Sequence, residues 1–103
     1  MRVLSFRVNG QQLKLDDKCD FTGIAKGTKG YPVAAFTFDW PKCGKAAVFT
    51  APNGVETAVK LDGNNRCEIP TEVLNGDYFK VHCLGVAPEY TVVTNKKTIM
   101  QVR

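Results

Sequence analysis

The chain has one histidine, His82, and one tryptophan, Trp40. Its four cysteines, Cys19, Cys43, Cys67 and Cys83, are far apart and form no Cys-x-x-Cys pair. Zinc sites draw ligands from close pairs, so no structural metal is expected. A Cys–His dyad is disfavoured too. His82 adjoins Cys83, and neighbouring residues of one strand point to opposite faces. No apolar run approaches the ~20 residues of a membrane helix. The start, Met1-Arg-Val-Leu-Ser-Phe-Arg7, has no long apolar centre and does not read as a signal peptide. Synthesis and initial residence in a cytoplasm are therefore expected, with the thiols free and no disulfides.

Charge of either sign is not concentrated. Fourteen Lys and Arg against ten Asp and Glu leave a net charge of +4, but the basic residues are scattered from Arg2 to Arg103. A nucleic-acid footprint is a dense stripe, so nucleic acid is not an expected partner. The carboxylates Asp39, Glu56, Glu68, Glu72 and Glu89 are dispersed. Asp16-Asp17 and Asp62-Gly63-Asn64 lack the bidentate Glu of a calcium loop and read as turns. The run Gly23-Ile-Ala-Lys-Gly-Thr-Lys-Gly30 lacks the Gly-Lys-Ser/Thr order of a phosphate loop and reads as a flexible connection. The chain thus presents no catalytic set, and an enzyme, a metal or a cofactor is not expected.

Short strands are what the sequence does contain. In Ala34-Ala-Phe-Thr-Phe-Asp-Trp40 the even positions are apolar and Thr37 and Asp39 are polar, the period of one buried face within a long central strand expected over Tyr31–Trp40, with Pro32 near its start. Further strands are expected at Val3–Val8, Gln12–Leu15, Lys45–Ala51, Val55–Leu61, Arg66–Ile69, Asp77–Leu84, Tyr90–Thr94 and Thr98–Val102, with a looser one over Phe21–Lys29. Asn9-Gly10 marks a tight hairpin. One helical turn is expected at Thr71–Leu74, after Pro70 and before Asn75-Gly76. Strands at such short spacing imply an all-β, immunoglobulin-like antiparallel β-sandwich in a single domain of 103 residues. Residues 30–103 would hold the sandwich core, and 1–29 an N-terminal hairpin with the flexible Gly/Lys loop. The expected core is Phe36, Phe38, Phe49, Val59, Ile69, Phe79 and Val81, with Cys67 and Cys83.

The order of these stretches carries a family resemblance. Phe36-Thr-Phe38-Asp-Trp40 is followed by Lys45-Ala-Ala-Val-Phe49, Cys67-Glu-Ile-Pro70, Glu72-Val-Leu74 and Tyr78-Phe-Lys-Val-His-Cys-Leu-Gly85. From about Val33 onward this resembles the small immunoglobulin-like modules of virion proteins from tailed phages and prophages of Gram-positive bacteria, in baseplate, tail-fibre and capsid-decoration parts. The resemblance implies a non-enzymatic attachment subunit, assembled in the host cytoplasm and resident in the virion. Its partners would be other virion proteins, in an oligomer or repeated array. A carbohydrate- or host-surface-binding module is the alternative, resting on Tyr31, Tyr78 and Tyr90, while Trp40, in register with Phe36 and Phe38, is expected at the core or its edge.

Sandwich edges leave backbone groups unpaired, and the chain ends are natural candidates for edges. The expected partner-contact residues are therefore Val3, Phe6 and Val8 at one end, Ile99, Met100 and Val102 at the other, and Lys26 and Lys29 on the loop.

Overall fold

Alternation sets the layers. Leu4, Phe6 and Val8, then Ala34 and Phe36, then Ala47 and Phe49, then Phe79, Val81 and Cys83 are all buried at every second position. Each set faces inward from one of two sheets. The computed structural model describes residues 1–103 as nine strands and one 3-10 turn. They are β1 (Arg2–Asn9), β2 (Gln12–Leu15), β3 (Pro32–Phe38), β4 (Gly44–Thr50), β5 (Glu56–Lys60), β6 (Arg66–Glu68), β7 (Tyr78–Ala87), β8 (Tyr90–Val93) and β9 (Lys97–Met100). The turn spans Thr71–Val73 and is closed by Val73 N–H on the Pro70 carbonyl and Leu74 N–H on the Thr71 carbonyl.

One sheet has the order β2-β1-β3-β6. The other has the order β5-β4-β7-β8, with β9 also paired to β7. The β7 register explains this split. Leu84–Ala87 pair with β8, and Tyr78–Val81 pair with β9, so β8 and β9 follow one another along one edge. The fold is an all-β sandwich. A radius of gyration of 13.0 Å matches the ~13 Å of about 100 residues packed as one unit.

Several expectations are corrected. The pairing is not wholly antiparallel, because β1 runs parallel to β3 from Arg2↔Pro32 to Val8↔Phe38. The first strand is not an edge either, since it lies between β2 and β3. The N-terminal hairpin is thereby part of the core rather than an addition to it, with Leu4, Phe6, Val8 and Leu13 buried alongside Ile24. Phe21–Lys29 forms no strand beyond a single bridge from Ala25 to Val102. Phe38 and Val59 are half-buried and pack on the core from its margin.

An aromatic ladder runs through the first sheet. Phe21 meets Phe6 edge-on at 5.3 Å, Phe6 stacks on Phe36 at 5.0 Å, Phe36 lies 5.9 Å from Phe38, and Phe38 lies 4.7 Å from Trp40. Such pairs contribute about 0.5–1.5 kcal/mol each beyond their burial. Trp40 caps the ladder. Its Nε1–H donates to the Gly10 carbonyl at 2.6 Å, and Asp39 Oδ1 accepts the Gly10 N–H at 2.9 Å. Gly10 has a φ of +59°. The left-handed turn that the Asn9-Gly10 pair supplies is thus held from the far end of β3.

Side-chain amides stitch the two sheets along one side. Leu13 N–H donates to Asn95 Oδ1 at 2.7 Å, Asn95 Nδ2 donates to the Leu13 carbonyl at 3.3 Å, and Gln11 Nε2 donates to the Val93 carbonyl at 3.2 Å. The two Asn95 bonds occupy backbone groups that β2 would otherwise expose as an edge.

Candidate interaction surfaces

The expected contact residues separate into two groups. Phe6, Val8 and Ile99 are each only 1% exposed and belong to the core, so they cannot meet a partner. The error comes from counting apolar content near the chain ends without knowing which end is central. Val3 is half-buried on the outer face of the first sheet. Lys26 is half-buried and forms an ion pair with Asp77, while Lys29 is exposed. Met100 and Val102 are exposed apolar residues at the end of the second sheet.

The edge that carries Met100 is partly closed by the chain itself. Val102 N–H donates to the Ile24 carbonyl at 2.8 Å, and Lys26 N–H donates to the Val102 carbonyl at 2.7 Å. The β7 register turns Phe79 and Ile99 toward each other and leaves the backbone groups of Thr98 and Met100 on the outer side. Beside them runs a groove of about 310 Å³ lined by Leu15, Phe21, Gly23, Met100 and Val102.

The outer face of the second sheet was not anticipated. Since Phe79, Val81 and Cys83 point inward, their neighbours on β7 point out. The cross-strand register then assembles rows on the solvent side. One row is Lys60, Ala46, Leu84 and Val93, and the next is Ala58, Val48 and His82. Val86 and Thr91 continue the face at one end. Val86 is 52% exposed and Val93 43%, with Leu84 half-buried between the strands. The sequence did hold a signal for this. Ala46-Ala-Val-Phe49 is an unbroken apolar run, which marks strands apolar on both faces.

The other half of the same face is polar. It holds Thr50, Glu56, Lys80, His82 and Thr98. Glu56 Oε2 accepts from Thr50 Oγ1 at 3.4 Å and pairs with Lys96 at 3.6 Å. Burial and the nearby Lys96 hold His82 below the usual imidazole range, against a smaller opposite pull from Glu56. Its Nδ1 is buried with no hydrogen-bond partner.

The chemical candidates are placed apart. His82 projects outward and Cys83 inward, as the strand period requires. Cys67 and Cys83 are free and buried, and burial pushes both thiols up to about 12, so neither is a thiolate at neutral pH. No group of three His, Cys, Asp or Glu side chains converges as metal ligands would. Trp40 is committed to the hairpin turn. Tyr31 lies before β3, Tyr78 stands beside Met100, and Tyr90 begins β8, so the tyrosines do not form one platform. Comparison with protein-family models, with curated proteins and with solved structures finds no match.

Proposed function

We propose that the chain is a non-enzymatic attachment subunit of a tailed-phage particle, assembled in the host cytoplasm and working through contacts with other virion proteins. The observation that carries this reading is the apolar half of the outer face of the β5-β4-β7-β8 sheet. Leu84, Val86 and Val93 stand there on the solvent side of a sandwich whose interior is already filled by Phe49, Phe79 and Val81. Contiguous apolar surface on the solvent side of a sheet marks a place where another macromolecule binds. The phage assignment rests on the sequence resemblance from Val33 onward.

A stiff two-sheet scaffold suits this role. The outward side chains are fixed by strand register, so the face is presented with little ordering left to do on contact. Mass spectrometry of purified particles tests the reading. The chain is expected at a stoichiometry set by the particle's symmetry, and its absence from washed particles overturns the assignment.

A further inference from the structure

We infer that the outer face of the β5-β4-β7-β8 sheet docks a different protein whose apolar patch carries an acidic rim. The inference rests on the attachment reading and names the chemistry of the partner. Three observations converge on it.

The first is charge. Unpaired lysines stand on the face, Lys60 beside its apolar half and Lys80 in its polar half. Lys60 stands opposite Ala46 in register, and Lys80 stands opposite Thr50. Neither has a carboxylate within salt-bridge distance, whereas Lys96 is paired with Glu56. Glu56 is the one acidic side chain among the outward strand positions, and it is already engaged. The free charge at the rim is therefore positive, and complementarity calls for Asp and Glu opposite. A second copy meeting this face with its own would set lysine against lysine at these strand positions, where no carboxylate is free. That disfavours self-pairing, since like charges across an interface cost several kcal/mol.

The second is size. Four strand positions at ~4.8 Å and the length of β7 at ~3.3 Å per residue give a face of roughly 20 by 30 Å, on the order of 600 Å². A standard interface takes about 800 Å² from each partner. The whole face, lysine rim included, is therefore needed for a stable contact.

The third is the state of the alternative sites. The β9 edge is occupied at Val102 by Ile24 and Lys26, which leaves only Thr98 and Met100 free for an added strand. The β2 edge is bonded to Asn95. β6 is a short edge bearing Arg66 and Glu68, which discourages strand addition. The flat face, bounded by the β5 and β8 edges, is left as an apolar surface open to a partner.

Photo-crosslinking in intact particles tests this. A benzophenone amino acid replaces Val86, and in a control chain it replaces Thr37 on the opposite outer face. The expected product from position 86 is a crosslink to a different protein, in a segment where Asp or Glu flank apolar residues. The Lys60→Glu, Lys80→Glu double variant should lower that yield by about tenfold with an unchanged melting temperature, through like-charge repulsion at the rim. If the reversed charges impair folding, Lys60→Gln with Lys80→Gln is used, and a smaller loss is expected. Crosslinks from position 86 to another copy of the chain overturn the inference. So do crosslinks from position 37 alone, or a yield indifferent to the lysines. Those results leave the attachment reading intact. Absence of the unmodified chain from particles removes the attachment reading, and the docking inference with it.

Discussion

The two outer faces of the sandwich differ although both belong to short β-sheets of similar size. On the β2-β1-β3-β6 sheet the outward positions include Lys14, Arg7 and Thr37 in one row and Ser5, Ala35 and Arg66 in the next. On the β5-β4-β7-β8 sheet the corresponding central positions are Ala46, Val48, Leu84 and Val86. An antiparallel sheet with one solvated face ordinarily shows the polar pattern of the first. The second sheet breaks alternation only in the β8-facing half, and returns to it at Thr50, Lys80 and Thr98. The difference separates what folding requires from what it does not. Inward residues are constrained equally in both sheets, while the outward apolar residues of the second sheet fill no interior space.

That separation is broken most sharply by changing an inward residue. Phe79→Ala removes a fully buried ring that lies 6.3 Å from Phe49, and is expected to cost about 3–5 kcal/mol in a denaturant titration. Phe38→Ala, at a half-buried position on the ladder, should cost clearly less. Equal losses would show that the margin of the core is packed as tightly as its centre.

A smaller effect is expected at the junction of the two sheets. Gly85 faces inward from β7, and an added Cβ would lie 2.7 Å from Trp40 Cζ3 and 2.9 Å from Val92 Cγ1. Gly85→Ala therefore forces the Trp40 ring or Val92 to shift, at a cost of about 1–3 kcal/mol. Trp40 fluorescence should change in the folded state. An unchanged spectrum and unchanged stability would mean that the ring moves freely, which its bond to the Gly10 carbonyl opposes.

Much of this was legible before any coordinates. The alternation of Ala34, Phe36 and Phe38 placed β3, the Asn9-Gly10 pair placed the first hairpin, and Pro70 with Thr71 placed the single turn. These are local signals, and local geometry decides them. Which strands become neighbours is not local. The parallel pairing of β1 with β3 needs the intervening β2 and the Asp16–Tyr31 segment to fold around it, and no residue pattern in β1 announces that. Phe21 shows the same limit, because the sequence suggests a loose strand over Phe21–Lys29, whereas Phe21 packs edge-on against Phe6 from a segment with no pairing beyond the Ala25–Val102 bridge. The candidate surface was half legible. Met100 and Val102 are expected contacts and are exposed, whereas Leu84 and Val86 escape notice because Tyr78, Lys80 and His82 make the outward side of β7 look polar. The neighbouring Leu84 and Val86 obey the same period and carry the opposite polarity.

The polar half of the second sheet's face makes a pH-dependent contribution. An imidazole in the unfolded chain takes up its proton near pH 6.5. Burial and Lys96 delay that uptake in the folded chain to lower pH. Below about pH 6.5 the unfolded state therefore binds more protons, and stability falls as the pH drops through that window. The His82 contribution is complete above pH 7. Thermal melts from pH 8 to pH 5 should show the decline, and His82→Gln should flatten it. A decline of the same size in His82→Gln would assign it to carboxylates instead.

The least change in stability is expected on the apolar half of that same face. Val86→Ser exchanges an exposed side chain that supports nothing in the interior. Its melting free energy should stay within about 0.5 kcal/mol of the parent, as surface substitutions generally do. Thr37→Ser on the opposite outer face is the matched control, since it is also exposed and also on an interior strand of its sheet. The two variants should be indistinguishable in folding and differ in attachment, with Val86→Ser depleted from purified particles and Thr37→Ser retained. If Val86→Ser instead unfolds the chain, the apolar outer face is needed for the sandwich itself, and the distinction between the two faces loses its functional meaning. If both variants fold and both are retained, Val86 contributes nothing to attachment, and the contact must lie elsewhere, with Met100 and Val102 beside the groove as the next residues to change.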